Sequence, residues 1–209
     1  MTADPFVATR WWWVRHAPVA APPGVIAGQL DLPADLSDRD GLAALAPRLP
    51  ADAVWLVTPL RRTRETAQAL LALCGDGETP APAPSLAAEP ELMEQHFGAW
   101  QGRTHADLSG EPGVDRFWEA PARSAPPGGE SFADVAARVG RAVDRLSDLH
   151  AGRDIVAVAH AGAIRAAVGH ALSLTPESML ALCADCLHLS RLDRVAGTWR
   201  VVGVNLPPR

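Results

Sequence analysis

The sequence predicts an α/β fold, a three-layer α/β/α sandwich on a mainly parallel central sheet. Three apolar runs, 11–14, 53–57 and 155–159, have the length and the β-branched and aromatic content of buried strands. Each is followed by a loop and then by apolar residues at helical spacing, the alternation that pairs strands in parallel and covers both faces with helices. Each run also stops at polar or turn-forming residues: Arg15-His16, Thr58-Pro59 and His160. Sheets of this kind bind ligands beyond the carboxyl ends of their strands, so chemistry is expected at these stops.

In chain order, the first strand is ended by Pro18 and the Ala/Pro/Gly segment after it. The irregular connection over 20–33 is long and suits the lining of a site. Ser37 is placed to cap a helix that runs to about Arg48 and stops before Pro50. The second strand leads into a helix over 60–71, with Leu60, Thr63, Ala67, Leu70 and Leu71 at helical spacing. Its first turn carries Arg61, Arg62 and Arg64. Positive charge opposes the helix dipole there, so these arginines want an anion, although a solvated basic face accounts for at least one of Arg61 and Arg64. From Cys74 to Pro90, Pro80, Pro82 and Pro84 mark a surface connection.

Residues 92–102 gather glycines and aromatics around one carboxylate, Glu94, placed to act as an acid. Residues 103–130, with a short helix about Val114 to Glu119 among prolines and glycines, read as a covering insert. Ser131 opens the longest amphipathic helix, with Phe132, Val135, Val139, Val143 and Leu146 on one stripe and its end at Gly152. The third strand ends at His160, and the small residues that follow let the chain turn into a helix over 163–172 whose first amides face a ligand. Pro176 opens a further helix, and runs 187–192 and 199–204 form closing strands around a turn at Ala196-Gly197.

The 209 residues are expected to form one domain over 1–209. With 48% hydrophobic and 21% charged residues, disorder and fibres are excluded. No apolar run is long enough to cross a bilayer, and the start, with Asp4 ahead of Phe6, lacks a signal-peptide layout; a cytoplasmic protein with no membrane partner is expected. A net charge of −5 argues against nucleic acid as a partner. Cys74, Cys183 and Cys186 are odd in number. The spacing of Cys183 and Cys186 has no second pair to complete a zinc site, and its apolar context reads as buried thiols. No histidine pair has close ligand spacing and no carboxylate cluster accompanies the histidines, so neither metal nor cofactor is expected. A homodimer is left open.

If the three strands are parallel neighbours, two imidazoles and at least two guanidiniums meet at one rim. A small phosphorylated metabolite suits that set, because guanidinium forks match phosphoryl oxygens and keep their charge. One neutral imidazole can attack phosphorus to give a phosphohistidine, while the arginines and the second imidazole hold the equatorial oxygens. Glu94 is the candidate that protonates the departing alkoxide and then takes a proton from water.

Four motifs in order resemble the histidine phosphatase superfamily, which contains phosphoglycerate mutases and many phosphatases, and the similarity runs from Val14 to about Leu192. The family's Arg-His-Gly is matched by Arg15-His16-Ala17, which implies His16 as the phosphorylated nucleophile and Arg15 as a phosphate ligand. Its Ser-Pro-Leu-x-Arg-x-x-x-Thr-Ala is matched from Thr58 to Ala67, implying Arg62 as the second such ligand. Its Leu-x-Glu-x-x-x-Gly-x-Trp-x-Gly is matched from Leu92 to Gly102, implying Glu94 as proton donor. Its late His-Gly is matched by His160-Ala161, implying a second phosphate-binding imidazole and a backbone amide at Ala161. Alanine thus replaces glycine twice and Thr58 replaces serine. Alanine is strained only where φ is positive, so the backbone at Ala17 and Ala161 decides whether these departures matter.

The resemblance implies a phosphoglycerate mutase-like fold and a metal-independent phosphatase. Residues 126–132, 94–100 and 174–179 are similar to α-ribazole phosphatases, with Gln29 and Glu130 as substrate contacts. A broad-specificity phosphatase, a mutase and a catalytically silent phosphoryl-ligand binding protein are the alternatives.

Overall fold

The computed structural model describes residues 7–74 and 85–209. Asp4 and Phe6, and Pro80, Pro82 and Pro84 of the expected surface connection, lie outside the described residues. Strands β1 (Ala8–Arg15), β2 (Ala53–Val57), β3 (Leu86–Ala88) and β4 (Asp154–Ala159) run parallel, and β5 (Leu189–Val195) and β6 (Thr198–Leu206) add an antiparallel hairpin. The order across the sheet is β3-β2-β4-β1-β5-β6. The mainly parallel sheet read from the sequence is therefore present.

Period-two alternation sends successive side chains to opposite faces, and each face buries a separate core. Trp11 and Trp13 of β1, Leu56 of β2 and Ile155 and Ala157 of β4 pack against α4 (Phe132–Leu149) and α5 (Ala161–Ala171). Val14, Trp55, Val57, Val156 and Val158 pack against α1 (Arg39–Leu45) and α2 (Arg61–Leu71). Trp11 and Trp13 stack with centroids 4.8 Å apart, and the Trp11 indole N–H donates to Ser147 Oγ at 2.9 Å. The triple tryptophan run is thus split between the two faces, which a helix could not do.

Local expectations fail at two places. The helix over 37–48 is capped by Asp38, not Ser37: Asp38 Oδ1 accepts the Gly41 N–H at 2.9 Å, while the Ser37 N–H donates to Asp35 Oδ1. The helix ends at Leu45 and a 3-10 turn, Ala46–Arg48, follows. Within the expected surface connection, Leu86–Ala88 is an edge strand. Those residues lack β-branching, and their extension comes from pairing with β2, where Leu56 sits opposite Ala87.

The covering insert wraps α3 (Val114–Glu119) around a small core of Ile26, Trp100, Leu108, Val114 and Phe117. It is stitched to the β1–α1 loop by Ile26 N–H to Arg103 O and Gly102 N–H to Ile26 O, both 2.9 Å. A short helix α6 (Pro176–Met179) precedes the loop that carries Cys183 and Cys186. That loop corrects the reading of buried thiols: Cys183 is exposed and Cys186 half-buried, because the segment spans the rim between α6 and β5 and not an element interior.

Candidate active site

The register of the two central strands builds the site. Arg15 pairs with Ala159, so the next residues, His16 and His160, leave adjacent parallel strands side by side, and the His16 N–H donates to Ala159 O at 3.0 Å. The two imidazole rings lie 5.1 Å apart, edge to face. His16 is 4% exposed. Its Nδ1–H donates to Ala17 O at 2.6 Å, a bond that fixes the tautomer and leaves the lone pair on Nε2. Burial pulls the His16 pKa down to about 3, against the Ala17 bond and with help from the Arg62 and Arg15 charges. The ring is therefore neutral at pH 7.

Arg62 follows β2 in the first turn of α2, 1% exposed, and its Nε–H donates to His16 Nε2 at 3.3 Å. Its terminal nitrogens donate to Leu30 O and Gly28 O, both at 2.7 Å, which fastens the long irregular loop beneath the site. Burial lowers its pKa, while Glu94 and Asp31 favour the cation. The expected solvated basic face is Arg61 and Arg64, both exposed, with Arg61 paired to Glu65 at 2.7 Å. Arg15 donates through Nη1 to Ala184 O at 2.7 Å, and its buried Nε has no partner.

His160 is fully buried. Its Nε2 shares a 3.0 Å hydrogen bond with Thr58 Oγ1, so the threonine at this position supplies a hydroxyl as a serine would, and Nδ1 has no partner. Burial first, then the repulsion that a second proton on the neighbouring His16 ring would meet and the Arg62, Arg15 and Arg138 charges, hold its pKa well below the ordinary histidine value. Ala17 and Ala161 are absent from the positive-φ residues, so neither alanine is strained. The Ala17 N–H donates to Thr66 Oγ1 at 3.0 Å.

Glu94 sits at the start of α5. Its Oε1 accepts the Gly162 N–H at 3.1 Å and the Gln95 N–H at 3.0 Å, so its immediate company is backbone amides and not the aromatics read around it in the sequence. A Cβ at position 162 would stand 2.3 Å from Oε1, and only glycine allows this approach.

Arg15, His16, Arg62 and Glu94 line one cavity of about 640 Å³. His160 and Ala161 do not line it; His160 reaches it through its contact with His16. Gln29 and Glu130, expected to touch substrate, also lie off this cavity. Gln29 Nε2 donates to Glu94 O at 2.8 Å, and Glu130 accepts the His96 N–H and pairs with Arg138 at 2.8 Å. Both brace the Glu94 segment, because the carbonyls and amides of 94–96 turn toward them. The cavity also holds residues that the sequence reading left without a role: Arg165, Cys186, His105, Phe117 and Trp118. A lone arginine in the apolar helix after His160, and a tryptophan in the Pro/Gly-rich insert, were the available signals. Among the described residues, no group of three or more His, Cys, Asp or Glu side chains could hold a metal ion, and no helix is long and apolar enough to cross a membrane.

The family model described as histidine phosphatase superfamily (branch 1) matches residues 11–207. A bifunctional protein of Mycobacterium tuberculosis is 32% identical over 157 residues, which are 74% of this chain but 38% of that protein; the chain spans about two fifths of the length of the first curated relatives it matches. The adenosylcobalamin/α-ribazole phosphatase of Escherichia coli is 27% identical over 205 residues, 94% of this chain and 90% of that one. Among solved structures, the native form of a mycobacterial glucosyl-3-phosphoglycerate phosphatase superposes with a TM-score of 0.79 at 29% identity, covering 95% of this chain and 99% of that one.

Proposed function

Because the chain belongs to the histidine phosphatase superfamily, we propose that it hydrolyses phosphomonoesters through a phosphohistidine on His16. The observation that carries this reading is the His16 ring: neutral at pH 7, its proton committed to Ala17 O, and its Nε2 lone pair beside Arg62 at the cavity. Nε2 attacks phosphorus as the ester P–O bond breaks, and the Arg15 and Arg62 guanidiniums balance charge on the equatorial oxygens, with the neutral His160 ring packed against His16. The Glu94 carboxylic acid gives its proton to the departing alkoxide. The resulting carboxylate then takes a proton from water as that water attacks phosphorus, and the P–N bond breaks to regenerate His16 and release phosphate. These steps use side chains alone, and turnover undiminished by EDTA is the expected result.

The substrate we propose is α-ribazole 5′-phosphate, on the residue patterns at 94–100, 126–132 and 174–179 and the similarity to the Escherichia coli phosphatase. A second reading, a phosphatase for sugar-linked phosphoglycerates, is favoured by the superposition on the mycobacterial enzyme. A kcat/KM panel of α-ribazole 5′-phosphate, glucosyl-3-phosphoglycerate, 3-phosphoglycerate and simple sugar phosphates separates them. Labelled phosphate trapped during turnover should survive alkali and be lost in acid, and His16→Ala should abolish both trapping and turnover. Full activity in His16→Ala overturns the proposal.

A further inference from the structure

The reactive groups occupy one part of the cavity, and the rest of its wall has a different chemistry. Of the seven tryptophans, Trp118 alone is exposed, at 50%, whereas Trp11, Trp13, Trp55 and Trp100 are buried to 3% or less. Trp118 lines the cavity from α3, with Phe117 edge-on at 5.0 Å and His105 tilted at 5.4 Å. The insert that carries these rings is hydrogen-bonded to the β1–α1 loop, which adds Pro22, Pro23 and Val25 to the same wall.

From this arrangement we propose that Trp118, backed by Phe117 and His105, is a stacking platform for a planar aromatic ring on the leaving alcohol. The favoured substrates are then phosphomonoesters of nucleoside-like alcohols. A half-exposed indole gains contact only when a ligand covers it, and planar rings are what indoles stack on best. A cavity of about 640 Å³ exceeds the needs of a phosphoryl group and has the size of sites that enclose a whole small ligand. A sugar could also lie on an indole, but its hydroxyls need hydrogen-bonding partners. The part of the wall supplied by the β1–α1 loop and the insert offers proline, valine and phenylalanine, with His105 as its one polar side chain.

The inference rests on the proposed phosphatase reading, and the test keeps the two apart. Adenosine 5′-monophosphate and ribose 5-phosphate present the same 5′-phosphate ester with and without an aromatic base. Wild-type protein should show kcat/KM about tenfold higher for the nucleotide. Trp118→Ala should bring the ratio toward one, and Trp118→Phe should keep most of it. A wild-type ratio near one, a ratio unmoved by Trp118→Ala, or faster turnover of glucose 6-phosphate than of the nucleotide overturns the platform while leaving the phosphatase intact. If neither these esters nor α-ribazole 5′-phosphate nor glucosyl-3-phosphoglycerate is hydrolysed, the phosphatase reading fails. Calorimetric binding of the same two probes to wild type and Trp118→Ala then decides the platform, which is rejected if the nucleotide binds no tighter than ribose 5-phosphate.

Discussion

Acidification should destabilise this fold through His16, and the size of the effect reports whether the ring is held neutral for attack. The folded pKa of about 3 lies below the ordinary value of 6.5. Between those values the unfolded chain protonates His16 and the folded chain does not. The stability from keeping this ring unprotonated is therefore complete above pH 6.5 and is lost as pH falls toward 3. Integrated from pH 7 to pH 5, the loss from this one residue is about 2 kcal/mol. Urea denaturation followed by tryptophan fluorescence, in buffer free of phosphate so that no bound anion stabilises the fold, measures it. Wild type should lose about 2 kcal/mol more than His16→Asn over that interval, since His160 and carboxylates such as Glu65 and Asp134, whose pKa values are lowered by hydrogen bonds, titrate in both proteins. Equal losses in the two proteins would refute the claim that burial keeps His16 neutral.

Glu94→Gln should slow hydrolysis of alkyl phosphates about a hundredfold or more, yet leave the first step with 4-nitrophenyl phosphate nearly intact, because that leaving group departs without a proton; stopped-flow release of nitrophenolate shows the difference. Arg138→Met removes donors to Glu91 O, Glu94 O and Glu130 and should cost about 2 kcal/mol of stability by urea denaturation, with kcat falling more than KM rises. Ala17→Gly should leave kcat unchanged and cost about 0.4–1 kcal/mol, since the backbone needs no glycine there and glycine adds unfolded-chain entropy; a gain in kcat would mean that the alanine is strained after all. Gly98→Ala, at φ +50° with its Cβ position 2.1 Å from Pro127 O, should lower thermal stability by several degrees or prevent folding.

Strands and long helices were legible because burial imposes a period. The 11–14 run alternates between two cores, and α4 repeats its apolar stripe over 18 residues. The clustering of His16, Arg62 and His160 was legible for a related reason: each follows a strand, and a parallel sheet gathers strand ends at one edge. Features decided by contacts distant in sequence were not legible. Leu86–Ala88 becomes a strand only beside β2. One local feature was not legible either, because Ser37 and Asp38 are equivalent caps by type and the geometry of one turn selects Asp38. Glu94 looked like an acid among aromatics because aromatics flank it in sequence, whereas in space it meets α5, 68 residues further on.

Gln29 and Glu130 give that distinction its consequence for catalysis. The chain holds the Glu94 backbone from two sides: Gln29 Nε2 and Arg138 Nη2 both donate to its carbonyl, at 2.8 and 3.1 Å. Glu130 secures Arg138 and also takes the His96 N–H at 2.8 Å, two residues beyond the acid. The carboxylate itself is held by the Gly162 and Gln95 amides. A proton donor must lie within hydrogen-bond reach of the leaving oxygen, and Glu94 sits in a segment with little regular structure, between the 3-10 turns Pro90–Leu92 and Gly98–Trp100. Side chains from the β1–α1 loop and from α4 supply the rigidity that a strand end supplies to His16. His16 and Glu94 are thus positioned by different means, one by sheet register and one by a polar clamp; under the proposed mechanism, variants of the clamp should affect proton transfer before they affect phosphate binding.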